Sequence, residues 1–184
     1  MSQYKFINRV GLWMVDLIEL KESQYVEVNY SQGYIFIAYQ SANHLLFVKF
    51  LSDKKVESTK LAAQDLFDYL ENNEIQINFF QYAIMDEGNE FRGEFQELME
   101  QENIKIRRVN PEKQDHNMLA PLNSMCRYVR NRFLKEMLFY DKQEQDGEKS
   151  LKIRVTVAQI NKIMKKIMKE HNFERKVRPY NKTP

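Results

Sequence analysis

Residues 11–20 read GLWMVDLIEL, an apolar run interrupted by one early acid, Asp16. Its β-branched and aromatic content suits a strand buried on both faces of a sheet. A carboxylate in such a run is costly unless something makes use of it, because an unpaired buried charge loses its hydration. Asp16 is therefore a site candidate as well as a strand residue. Downstream, residues 25–30 alternate, Ser31-Gln32-Gly33 supplies a turn, and residues 34–39 (YIFIAY) and 44–51 (HLLFVKFL) are again apolar and β-prone. Consecutive strands on short connections predict an antiparallel meander.

Beyond the meander, Leu61, Ala62, Leu66, Phe67 and Leu70 recur at helical spacing over residues 58–70. Residues 75–85 (IQINFFQYAIM) form a further strand candidate running straight into Asp86, and 91–101 read as a short amphipathic helix. Residues 104–109 (IKIRRV) are the next strand, and 117–135 place Leu119, Leu122, Cys126, Val129 and Phe133 on one helical face. These elements define an expected core domain over residues 1–140. Residues 141–150 (DKQEQDGEKS) contain no apolar side chain and read as a polar linker or loop. Residues 151–184 read as a C-terminal helix and tail. Thr156 and Gln159 have capping-box spacing, and Ile160, Ile163, Met164, Ile167 and Met168 form an apolar stripe. Lys162, Lys165, Lys166 and Lys169 occupy the other side, read as a solvated face, and residues 175–184 (RKVRPYNKTP) form the tail.

At 184 residues, 43% hydrophobic and 12% aromatic, the chain can bury one sizeable core. Its single cysteine excludes an internal disulfide, and no apolar run approaches the roughly 18 residues of a spanning helix. Residues 1–9 lack the pattern of a secretory signal, so an intracellular protein with no membrane span is expected, nuclear if it acts on DNA. A net charge of +2 says nothing on its own about nucleic acid. His44, His116 and His171 have no partners at metal-ligand spacing, so no zinc module is expected.

Three segments carry chemistry. Trp13-Met14-Val15-Asp16 ends the first strand's apolar half, Asp86-Glu87-Gly88-Asn89-Glu90-Phe91 follows a later strand, and Asn110-Pro111 precedes His116-Asn117-Met118-Leu119 and a helix bearing Asn123. Together they resemble the catalytic cores of retroviral, retrotransposon and Polinton (Maverick) DDE integrases, over residues 11–133. The second segment matches the family's D-x-G-x-E-F signature and is the most specific. A weaker likeness lies in Tyr180-Asn181 and Thr183-Pro184, similar to a segment common downstream in these proteins. The resemblance implies an α/β fold of RNase H type: a mixed five-stranded sheet with antiparallel strands 1–3, flanked by helices, plus a C-terminal helix.

It also implies a mechanism. In the family, carboxylates hold two Mg²⁺ or Mn²⁺ ions about 3.5–4 Å apart for in-line attack on phosphate. Asp16 and Asp86 match the first two acids. About 35 residues usually separate the second acid from the third; here 35 intervening residues lead to Leu122 and 36 to Asn123. Leu122 belongs to the apolar stripe, so Asn123 is the better match, and the triad reads Asp, Asp, Asn. Asp115 lies eight residues earlier, about 12 Å along a helix axis, where an N-cap is expected, and Glu112 lies in a Pro-containing loop. Neither replaces the missing acid. Gln40 is a second departure, at a place where the family often has Asp. Arg127 and Arg130 share the polar face with Asn123 and are candidates for DNA phosphate, or plain solvent-facing residues. The resulting expectation is an integrase-derived, catalytically impaired or inactive domain, a pseudoenzyme of mobile-element origin. It would be retained as a structural, protein-interaction or DNA-binding module, forming a homo-oligomer or part of a larger assembly. The alternative is an active integrase or transposase that nicks and joins DNA with Mg²⁺ or Mn²⁺.

Overall fold

Alternation along the first strand sorts its side chains onto two faces, and each face seeds a core. β1 (Leu12–Leu20) sends Met14 and Ile18 to one side of the sheet and Trp13 and Val15 to the other. None of the four is more than 2% exposed, so β1 is central. The computed structural model describes residues 12–20, 26–28, 33–40, 42–75, 81–109, 118–144 and 153–174.

β1 pairs antiparallel with β3 (Gly33–Gln40), which pairs antiparallel with β4 (Leu45–Leu51). On its other flank β1 runs parallel to β5 (Tyr82–Met85), and β5 runs parallel to β6 (Lys105–Arg108). The order β4-β3-β1-β5-β6 is the mixed five-stranded sheet of the expected RNase H-like class. One expected strand lies elsewhere. β2 (Val26–Val28) leaves the meander and pairs parallel with β7 (Ile153–Val155) in a separate two-stranded sheet. The reason is occupancy: β3 already has β1 on one side and β4 on the other, so the segment between β1 and β3 finds no open edge beside them.

α1 (Val56–Asn72) and α2 (Glu94–Gln101) cover the Trp13 face, burying Leu66, Phe67, Phe95 and Met99. α3 (Ala120–Glu144) and α4 (Val157–Lys169) cover the Met14 face. A buried aliphatic or aromatic side chain contributes about 1.5–3 kcal/mol, so the two apolar faces of one sheet hold most of the molecule together. α3 continues through residues 141–144, the start of the segment read as a linker; residues 145–150 lie outside the described residues, as do the 110–117 stretch with Glu112 and Asp115, the 175–184 tail and residues 76–80 of the expected fourth strand.

α4 begins at the expected capping box. Gln159 N–H donates to Thr156 Oγ1 over 3.2 Å, and Thr156 N–H donates to Gln159 Oε1 over 2.7 Å. Ile160, Ile163, Met164 and Ile167 enter the same core as β1 and β4. Ion pairs of Arg132 with Glu170 and of Lys166 with Glu136, the latter 2.7 Å long, tie α3 to α4. No helix among the described residues is long and apolar enough to cross a membrane.

A π-turn, Glu170–Glu174, follows α4 and places Asn172 on the edge strand β4. Leu46 N–H donates to Asn172 Oδ1 over 2.9 Å, while Asn172 Nδ2 donates to Leu46 C=O and to Tyr69 Oη, both over 2.8 Å. The amide thus does for one edge residue what a neighbouring strand would do. Asn172→Leu removes both partners of a sheet-edge backbone pair. Urea unfolding is expected to show a loss of about 2–3 kcal/mol, with faster amide exchange at Leu46.

Candidate active site

The β1–β5 register determines what stands beside Asp16. Met14 pairs with Ile84 in parallel strands, so two residues further on Asp16 lies next to Asp86 at the end of β5. Both share the face of Met14 and Ile84, which is the face covered by α3. The sequence-derived pair is therefore brought together by strand pairing alone.

Three ties hold the loop after β5. Gly88 N–H donates to Asp86 Oδ1 over 3.0 Å, closing a turn on the acid's own side chain. Arg108 donates to Phe91 C=O over 2.7 Å and to Asp86 C=O over 3.4 Å. Buried Thr59 of α1 donates its hydroxyl to Glu90 C=O over 2.5 Å. Gly88 leaves room for two acid side chains: a Cβ there would meet Glu90 Cδ at 2.7 Å and Asp86 Oδ1 at 2.9 Å, so both carboxyl groups would have to shift. The carboxyl groups of Asp86 and Glu90 flank that one glycine. Glu90 is the site residue that the sequence reading quoted without assigning a role; its place two residues after the turn glycine was the available signal.

Asp16 is half-buried, and burial pushes its carboxyl up to about 6 against the opposing hydrogen bond from Leu17 N–H, with the charges of Asp86 and Glu90 adding to the rise. The α3 side chain that meets it is Cys126, whose thiol lies 4.0 Å from Asp16 Oδ2. Burial first, and then the Asp16 charge, push that thiol up to about 12, leaving it a neutral S–H. The sequence reading placed Cys126 on the apolar stripe, and it does pack against the core, but it also closes the acid's cleft.

Asn123 sits one helical turn before Cys126 with its side chain exposed. Arg127 and Arg130 are exposed further along α3, with no ion pair among the described residues; Arg130 is close enough for its charge to oppose the rise at Cys126. Gln40, by contrast, is buried at the end of β3, where its Oε1 accepts from Asn43 N–H over 3.0 Å.

Divalent ions of the Mg²⁺ class require hard oxygen donors in near-octahedral array. Among the described residues no three His, Cys, Asp or Glu side chains stand in metal-holding geometry. The strand wall offers the carboxylates of Asp16 and Asp86, and the loop after β5 adds that of Glu90. The helix wall offers an uncharged amide and a protonated thiol, so these residues do not fit a pair of ions.

No protein-family model matches the chain, and no curated protein matches it in sequence. Its fold is similar to solved integrase catalytic cores. One is the catalytic core domain of BIV integrase, with a TM-score of 0.56, 10% identity, and coverage of 91% of this chain and 86% of that one. Another is the HTLV-2 integrase catalytic core domain in complex with magnesium, in a trimeric form, with a TM-score of 0.57, 14% identity, and coverage of 88% and 84%. At these identities the likeness establishes the fold.

Asp16 gives a pH dependence with a definite sign. A folded-state value of about 6 against 3.8 means that the native state favours the proton, so the stability contributed by Asp16 is fully present below about pH 4 and is lost as pH rises through about 6. In metal-free buffer Asp16→Asn is expected to stabilise the protein by about 2–3 kcal/mol at pH 7–8, with no gain below about pH 4. Chemical denaturation across that range checks it.

Proposed function

We propose that the chain is an integrase-derived RNase H-like domain, of retroviral or Polinton type, whose phosphoryl-transfer site is impaired and which is retained to bind DNA and to self-associate. The observation that carries this reading is the helix wall of the cleft, where among the described residues Cys126 and Asn123 stand and no acid does. In an active core of this kind, divalent ions activate the attacking oxygen and stabilise the leaving one. Asp16 and Asp86 are the residues that would touch Mg²⁺ or Mn²⁺. Losing one carboxylate from such a set removes charge that stabilises the transition state, an effect commonly worth orders of magnitude in rate.

DNA binding is supported by Arg127 and Arg130, exposed on the helix that borders the cleft and without an ion pair among the described residues. A guanidinium in that position reads phosphate, not bases, and the affinity it adds falls with salt. Self-association accords with the trimeric form described for the HTLV-2 neighbour.

The test is a nicking and strand-transfer assay on labelled duplex DNA in Mn²⁺, with the Asp16→Asn variant as the blank. The wild-type chain is expected to give no product above that blank, while retaining salt-sensitive DNA binding. Arg127→Ala with Arg130→Ala is expected to weaken that binding about tenfold and to flatten its salt dependence. Mn²⁺-dependent cleavage that disappears in Asp16→Asn would falsify impairment and leave an active enzyme as the reading.

A further inference from the structure

We propose that position 126 of α3, and not position 123, is the third-ligand position of the cleft, so that Cys126 is the residue that closes it to ions of the Mg²⁺ class. This rests on the impaired-site reading above and names the residue that causes the impairment.

The spacing that points to Asn123 is counted along the chain, whereas what meets Asp16 depends on the phase of α3. Leu122, Val129, Phe133 and Met137 are at most 1% exposed and mark the line along which the helix lies on the sheet. At about 100° per residue, Cys126 stands about 40° round the helix from Leu122, and Asn123 about 100°. Cys126 is accordingly half-buried with its thiol 4.0 Å from Asp16 Oδ2, while Asn123 is exposed.

Carboxylates are already gathered on the other side of the cleft, where Asp16, Asp86 and Glu90 lie on strand and loop. An octahedral ion needs oxygens all round it, and donors on one wall leave the opposite positions to water. Two oxygens on adjacent positions of an ion with ligands at about 2.1 Å stand about 3 Å apart. The Cys126 sulfur is a soft donor of the kind Mg²⁺ does not take, and it stops 4.0 Å short of Asp16 Oδ2.

Cys126→Asp carries two oxygens one bond beyond the place of the sulfur, into that gap. Arg130 stands near enough for its charge to act on position 126, so the new carboxylate is not left without a counter-charge when no ion is bound. Asn123→Glu, by contrast, adds its charge on the exposed flank of the helix.

Titration of the full chain with Mn²⁺, free ion being read by electron paramagnetic resonance, tests this, with circular dichroism confirming that each variant is folded. Cys126→Asp is expected to bind at least about tenfold tighter than wild type, and to lose the gain when Asp16→Asn is added. Asn123→Glu is expected to stay within about twofold of wild type. Should Cys126→Asp not fold, Cys126→Asn is neutral and of nearly the same shape, and is expected to gain at least about fivefold, again only with Asp16 intact. Binding by Asn123→Glu as tight as that of the variant at 126, no gain at 126, or a gain that survives Asp16→Asn overturns the proposal. In each of those cases a wild type that neither binds Mn²⁺ tightly nor nicks DNA leaves the impaired-site reading standing. Wild-type binding as tight as that of Cys126→Asp, with nicking lost in Asp16→Asn, overturns both.

Discussion

β1 has two different partners, antiparallel β3 on one side and parallel β5 on the other, and the remaining elements take their places from that double pairing. With β1 and β4 on its two sides, β3 has no edge left, and this sends β2 away to β7. A parallel neighbour cannot be reached by a hairpin, so the chain crosses over through α1 and covers the Trp13 face on the way. The same parallel register carries Asp16 to Asp86. Fold and cleft share one cause, and the cleft is therefore no easier to lose than the sheet.

That cause also explains what could be read from the sequence. Strand runs such as 34–39 and the helix over 58–70 declare themselves by period, because their side chains have one or two apolar environments to satisfy. The Thr156–Gln159 cap is local chemistry and is legible for the same reason. The destination of residues 26–28 is not local: it depends on which edges are already taken, and on a partner some 125 residues away. In the cleft, Asp16 and Asp86 were visible as acids at the ends of apolar runs. Cys126 was hidden because a thiol on an apolar stripe satisfies the core pattern while its neighbour across the cleft is a carboxylate. Glu90 was hidden within a turn whose glycine drew the attention.

Among the described residues the acids of the cleft, Asp16, Asp86 and Glu90, form no ion pair. Burial is the first cause of the Asp16 shift, and the charges of Asp86 and Glu90 act in the same direction. A cation would reverse all of this, since opposite charge favours the ionised form. Cys126 offers Asp16 only a weak S–H, and the well-placed cation of the region, Arg108, donates to carbonyls of the loop instead of to the acid side chains. The wall of the cleft is rigid where it positions the loop and chemically spare where a reaction would need charge.

The Asn172 clamp has a consequence for synthesis. Its bonds to Leu46 join residues 126 apart, and α4, which covers β4 on the Met14 face, is almost as distant in sequence. During translation the first three strands of the sheet are made early, yet one face and the outer edge of β4 stay open until the C-terminal turn has left the ribosome. Contacts of such long sequence separation form slowly, because a long loop must close first. For that interval the nascent chain displays an apolar strand with an unsealed edge, the kind of surface that molecular chaperones recognise.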